Sequence, residues 1–197
     1  PPIFQRLVNK FSGLPSIGGR TAERLALFLA KADREDIASL AESLLKFSEV
    51  IRECSVCRGI SDAGVCSICS SKDRMKNQIC IVEKPSDLVA VEKAGQFKGM
   101  YHVMHGLWSP MKGVGREQLG LDLLLERIQS EELPSVEIIV ATGSSIEGDA
   151  TALYIGKIFS FDNIKVTRIA QGIPKGLDLE LLDQVTIAYA LEGRKSV

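Results

Sequence analysis

Four of the five cysteines of this 197-residue chain fall in one stretch of sixteen residues, as Cys54-x2-Cys57-x8-Cys66-x2-Cys69. Each Cys-x-x-Cys pair sets two thiolates on one side of a tight turn. Two such turns facing each other supply the four soft ligands of a tetrahedral zinc site, with Gly59 and Gly64 available for sharp bends between them. All four positions are filled, so the expected site is closed and structural, one Zn2+ per chain, with no open position for catalysis. The alternatives are a redox pair or unrelated core cysteines. Cys80 lies in the apolar run Ile79-Cys80-Ile81-Val82 and reads as a small buried residue.

Two further groups could do chemistry. Leu14-Pro15-Ser16-Ile17-Gly18-Gly19-Arg20-Thr21-Ala22 is a short glycine-containing turn between two helical patterns. Such a turn can aim backbone N–H groups and a helix N-terminus at a phosphate. It lies in a basic head: residues 1–32 hold Arg6, Lys10, Arg20, Arg24 and Lys31 against Glu23 alone, a local charge of +4. The alternative is a plain helix–helix connection used for packing or self-association. The last group is acidic. Glu83 stands just past the run Ile79–Val82, and Glu147-Gly148-Asp149 follows Ile138-Ile139-Val140-Ala141-Thr142-Gly143. Carboxylates at the carboxyl ends of parallel strands can build a site or dock a basic partner. Near a helix start they can equally serve as N-terminal charge stabilisation.

The elements that would position these groups follow from periodicity. Ile3, Leu7 and Phe11 recur every four residues, 21–30 is strong helix former, and Ile37, Leu40, Leu44, Phe47 and Ile51 mark an amphipathic helix over 35–52. Residues 1–53 are therefore expected to be helical, and 54–76 to form the cysteine lobe. Beyond them, strands are predicted at 79–82, 101–104, 137–141, 164–169 and 185–189, and helices at 87–94, 117–131 and 148–160, with a Gly/Pro-rich loop at 106–116. Strands alternating with helices point to a mostly parallel sheet covered on both faces. The fold class is thus α/β and multidomain, with a domain over 77–168 and a C-terminal strand segment over 169–197.

Composition bounds the rest. A hydrophobic share of 45% suits a folded chain, and a net charge of −1 argues against bulk coating of nucleic acid. That average conceals the +4 head and a −4 body over 77–197. No run approaches the roughly 20 apolar residues of a membrane helix. No secretory signal is visible, so a cytoplasmic protein is expected. The chain starts at Pro1 without Met, so a few preceding residues are expected.

The basic turn resembles a helix-hairpin-helix DNA-binding motif, whose usual form has Gly where this chain has Ser16. The acidic strand ends resemble the Toprim domain of topoisomerases and primases, where acids bind magnesium for phosphoryl transfer. The catalytic Asp-x-Asp of that domain falls on Gly143-Ser144-Ser145, which supplies no carboxylate, while Glu147-Gly148-Asp149 keeps the next element. A magnesium-dependent phosphotransferase or nuclease is the enzyme alternative, and a zinc scaffold that only bridges proteins is a third.

With Tyr101-His102-Val103, Ser109-Pro110-Met111-Lys112-Gly113-Val114-Gly115, Arg168-Ile169-Ala170 and Ala190-Leu191-Glu192-Gly193-Arg194, the motif order over the whole chain resembles the bacterial RecR family of recombination mediators. Gln171 stands where that family usually has His, Gly143-Ser144 where it has Asn-Pro, and Pro174-Lys175-Gly176-Leu177-Asp178 where it has a more glycine-rich run.

The resemblance implies a non-catalytic, DNA-binding role in repair of gapped DNA. RecR-like proteins form a ring-shaped tetramer and act with RecO, and in many bacteria RecF, to help RecA replace single-strand-binding protein. It assigns Arg20, Lys10 and Arg24 to DNA, and Glu83, Glu147 and Asp149 to protein partners. His102 and His105 are expected to be packing or loop residues, since the zinc set is complete without them.

Overall fold

The computed structural model describes residues 1–194, and the chain divides into two compact units, with the boundary between Ile51 and Arg52. The first unit holds three helices, α1 (Pro2–Ser12), α2 (Gly19–Leu29) and α3 (Arg34–Val50). Pro2 sits at the first turn of α1, where its missing N–H costs nothing. α1 and α2 pack around Val8, Ala22 and Ala26, with Phe4, Phe11 and Ile17 half-buried against them. The two alanines lie one turn apart, so α1 can approach α2 closely there. α3 has no buried residue at all. Its Ile37, Leu40 and Leu44 join Ile3, Leu7 and Leu29 in lining an open apolar groove of about 630 Å³.

The second unit begins with a two-stranded antiparallel ribbon, β1 (Arg52–Glu53) and β2 (Ile60–Ser61), and a single turn, α4 (Ser67–Ser70). A four-stranded parallel sheet follows: β3 (Met75–Val82), β4 (Gly99–Val103), β5 (Val136–Ala141) and β6 (Ile164–Arg168), in the order β4-β3-β5-β6. The connecting helices are α5 (Pro85–Ala94), α6 (Leu121–Ser130) and α7 (Ile146–Ile158). Along β3 the alternation separates two cores, as expected of a sheet covered on both faces. Ile79 and Ile81 pack with Leu121, Leu124, Ile128, Ile155 and Phe159. Cys80 and Val82 pack with Leu88, Tyr101, Val103 and three of the clustered cysteines. Among the described residues, no helix is long and apolar enough to cross a membrane.

Three expectations are corrected. Residues 185–189 are not a strand but lie in helix α8 (Gln184–Glu192). The Val, Thr, Ile and Tyr there favour a strand locally, yet Asp183 accepts from the Val185 and Thr186 N–H groups and starts the helix. The helix expected from 117 begins at Leu121, because Gly120 adopts φ 65° and ends the preceding turns. The helical head stops at Val50, and 52–53 pair as β1.

Candidate functional site

The cysteine lobe is built by turns. The β1–β2 ribbon brings Cys54 and Cys57 to one side, and Cys66 caps α4 so that Cys69 returns to the same point. The four sulfurs all lie within 4.8 Å of one another, and Cys57 Sγ is 3.7 Å from Cys66 Sγ. Sulfurs set tetrahedrally about 2.3 Å from one ion stand about 3.8 Å apart, so the spacing fits zinc. Backbone N–H groups already serve the sulfurs: Gly59 donates to Cys57, Cys66 to Cys54 and Cys69 to Cys66. The Cys69 thiol donates to Cys57 and holds it down to about 5, and that same bond, with burial, pushes Cys69 up. Four crowded thiols cannot all ionise beside one another, and a dication bound by Cys54, Cys57, Cys66 and Cys69 removes that conflict.

The lobe is fastened to the sheet. The Val103 N–H at the end of β4 donates to the Cys57 carbonyl at 2.8 Å. Arg58 donates to the Gln118 carbonyl, and its side chain fills the space where Gly120 lacks a Cβ. His105 donates to the Arg58 carbonyl at 2.7 Å, so it is a loop-tying residue. His102 is fully buried in β4 and donates to the Leu119 carbonyl; burial pushes it down to about 4 and keeps it neutral. Both histidines stand outside the metal cluster, one packed in the sheet and one in a loop.

In the first unit, the turn after α1 ends at Gly18, the N-cap of α2, which has no side-chain cap and no acid in its first turn. The first N–H groups of α2 are thereby left to solvent or to an anion. Arg20 and Arg24 lie one turn apart on α2, and Lys10 is in the last turn of α1. All three are exposed and make no ion pair among the described residues. Ser16 has φ 64°, the left-handed region that favours glycine and the physical reason for Gly in the usual motif.

The acids separate into different environments. Val82 and Ala141 are register partners, so Glu83 and Thr142 leave adjacent strands where the sheet order reverses. Glu83 is half-buried and pairs with Lys84 at 3.3 Å. Glu147 is exposed in the first turn of α7, where Ser145 caps the helix through the Gly148 N–H. Gly148 itself is demanded by close approach, since a Cβ there would lie 2.1 Å from the Gly143 carbonyl oxygen. Asp149 is half-buried and fully engaged: Arg168 donates to it at 2.6 Å and Tyr189 at 3.1 Å, and Arg168 holds its carboxyl below the ordinary range. Glu83, Glu147 and Asp149 form no metal-ready group among the described residues. Sequence reasoning does not find Arg168 and Tyr189 beside Asp149; the only signal is that Arg168 ends a strand next to the α7 junction.

The chain matches four protein families along its length. Residues 4–47 match the family described as RecR, helix-hairpin-helix, and residues 51–71 match the RecR zinc finger domain, a four-cysteine type. Residues 77–170 match the Toprim domain, and 172–195 match RecR, C-terminal. It is 44% identical over 194 residues to "Recombination protein RecR" of Desulfatibacillum aliphaticivorans, covering 98% of this chain and 96% of that one. The motif order, the four gathered cysteines and this similarity agree: the chain belongs to the RecR family of recombination proteins.

Proposed function

We propose that the protein is a non-catalytic, cytoplasmic mediator that binds gapped DNA and, with RecO and where present RecF, helps load RecA onto DNA coated with single-strand-binding protein. The observation that carries the DNA-binding part is the uncapped N-terminus of α2 beside Arg20 and Arg24. Free N–H groups, a favourable helix dipole and two guanidinium groups that make no ion pair among the described residues together make an anion site. Lys10 extends it from α1. The absence of carboxylates at Gly143 and Ser145, with Asp149 held by Arg168, argues against a two-metal phosphoryl-transfer reaction.

Glu83 and Glu147 are the surface acids offered to a basic partner, while Asp149 orients α8. Zinc held by Cys54, Cys57, Cys66 and Cys69 supplies folding stability to the lobe and takes no part in chemistry. Self-association is supported by two separate apolar surfaces. One is the groove of the first unit, and the other is the C-terminal segment, where Leu179, Leu181, Val185 and Leu191 are exposed. If each surface pairs with its own copy about a two-fold axis, and the two axes intersect at right angles, the contacts close into a ring of four.

The test is DNA binding as a function of salt. The unchanged protein should bind single-stranded or gapped DNA at about 50 mM salt, and Arg20→Ala should weaken binding and lower the salt slope by about one. A slope equal to that of the unchanged protein would remove Arg20 from the interface. Cleavage of DNA with Mg2+ that is lost on Glu83→Ala would overturn the non-catalytic reading.

A further inference from the structure

The loop after β4 carries a feature that neither the zinc lobe nor the hairpin turn uses. Residues 105–116 contain Lys112 and Arg116 but no acid, in a unit whose charge is otherwise negative. The loop is stiff. Ser109 and Val114 exchange two backbone hydrogen bonds at 3.0 and 2.9 Å, and Pro110–Lys112 form one 3-10 turn closed at Gly113, φ 68°. Its base is anchored to α7: Trp108 stacks on Tyr154 with ring centroids 4.9 Å apart, and its backbone N–H donates to Thr151 Oγ1. At the tip Met111 is 98% exposed, beside the exposed Lys112 and Pro110.

A large apolar side chain held almost wholly in water at the end of a rigid hairpin is costly unless something covers it. The tip's own chemistry selects the cover. Its one charge is the positive Lys112, since Arg116 further along the loop is paired with Asp122; Gly113 adds no bulk, and Met and Pro are side chains that serve as wedges against base steps. A basic protein surface would be repelled by Lys112.

We propose that the Pro110–Lys112 tip is a second DNA contact, in which Met111 lies against an unstacked base or base step and Lys112 meets the adjoining phosphate. The site rests on the DNA-binding reading above and adds a different contact to it, since α2 offers only phosphate recognition whereas this tip can sense exposed bases. Duplex ends, gap borders and single strands present such bases, so the tip would favour them over continuous duplex.

The experiment uses the full-length, zinc-loaded protein and a gapped duplex with 2-aminopurine at the border nucleotide. Binding by the unchanged protein should raise the 2-aminopurine fluorescence, as unstacking does. Met111→Asp should abolish that rise and weaken binding about tenfold, whereas Met111→Leu should keep both. Lys112→Glu should lower the salt slope by about one or more and leave the fluorescence rise in place. Far-UV circular dichroism and zinc content check that each variant is folded.

Gap binding and fluorescence unchanged in Met111→Asp, alongside loss in Arg20→Ala, would overturn this proposal and leave the hairpin reading standing. No binding by the unchanged protein would sink both. Intact DNA binding in Met111→Asp with loss of a purified RecO-type partner would make the tip a protein contact and overturn the nucleic-acid assignment.

Discussion

The two units solve the same problem differently. From Arg52 onward, a sheet buries both faces, and residues such as Leu121, Leu124, Ile138, Ile155 and Phe159 are fully enclosed. Up to Ile51, only Val8, Ala22 and Ala26 are buried, while Leu40, Leu44, Phe47 and Phe28 stand exposed along helices of clear amphipathic pattern. One unit encloses its core within the chain. The other leaves most of its apolar helix surface open, which is why the same kind of residue, a leucine on an amphipathic helix, should behave oppositely in the two.

The largest effect expected is in the cysteine lobe, which has no apolar core of its own beyond the sheet face it covers. Cys57→Ser should release zinc and loosen residues 54–76, read as metal content and as faster amide exchange there. About one zinc per chain in that variant would refute the ligand assignment. Next come the paired leucines. Leu124→Ala should cost about 2–5 kcal/mol in denaturant unfolding, because it opens a cavity in an enclosed core. Leu44→Ala should change the stability of the isolated chain by less than about 0.5 kcal/mol, yet weaken self-association.

A buried titratable group sharpens the same contrast by pH. His102 is neutral in the fold, with its pKa pushed down to about 4 by burial, against an unfolded value near 6.5. Between those values the unfolded chain binds the extra proton, so stability rises with pH across about 4–6.5 and falls on acidification through that window. The span is on the order of 3 kcal/mol. His102→Gln should flatten the pH dependence of unfolding in that window, and an unchanged curve would contradict the assignment. A small effect of the opposite sign is expected in the first unit. Ser16→Gly relieves a left-handed serine and should stabilise by roughly 0.5–1 kcal/mol, seen as a small rise in Tm.

What sequence conveys, and what it does not, follows the same division. The zinc site is legible in full because ligand spacing within sixteen residues is local geometry. The sheet is legible because apolar runs mark strands buried on both faces. Helix α8 is not, since the decisive signal is one capping aspartate, Asp183, against five residues of strand-like composition. Nor is the role of Asp149, whose partners Arg168 and Tyr189 lie 19 and 40 residues further along the chain and meet it only once the strands are in register. The pattern of α3 announces an apolar face correctly, but periodicity cannot say whether the surface that covers it belongs to the same chain.

Whether a second copy covers that face is answered most directly by the mass in solution. Sedimentation equilibrium of the unchanged protein should give four chains, and Leu44→Glu, which places a charge in the apolar groove of the first unit, should reduce this to two with zinc content and sheet intact. A monomer for the unchanged protein, or four chains in both, would contradict the claim that a second copy completes the core of the first unit.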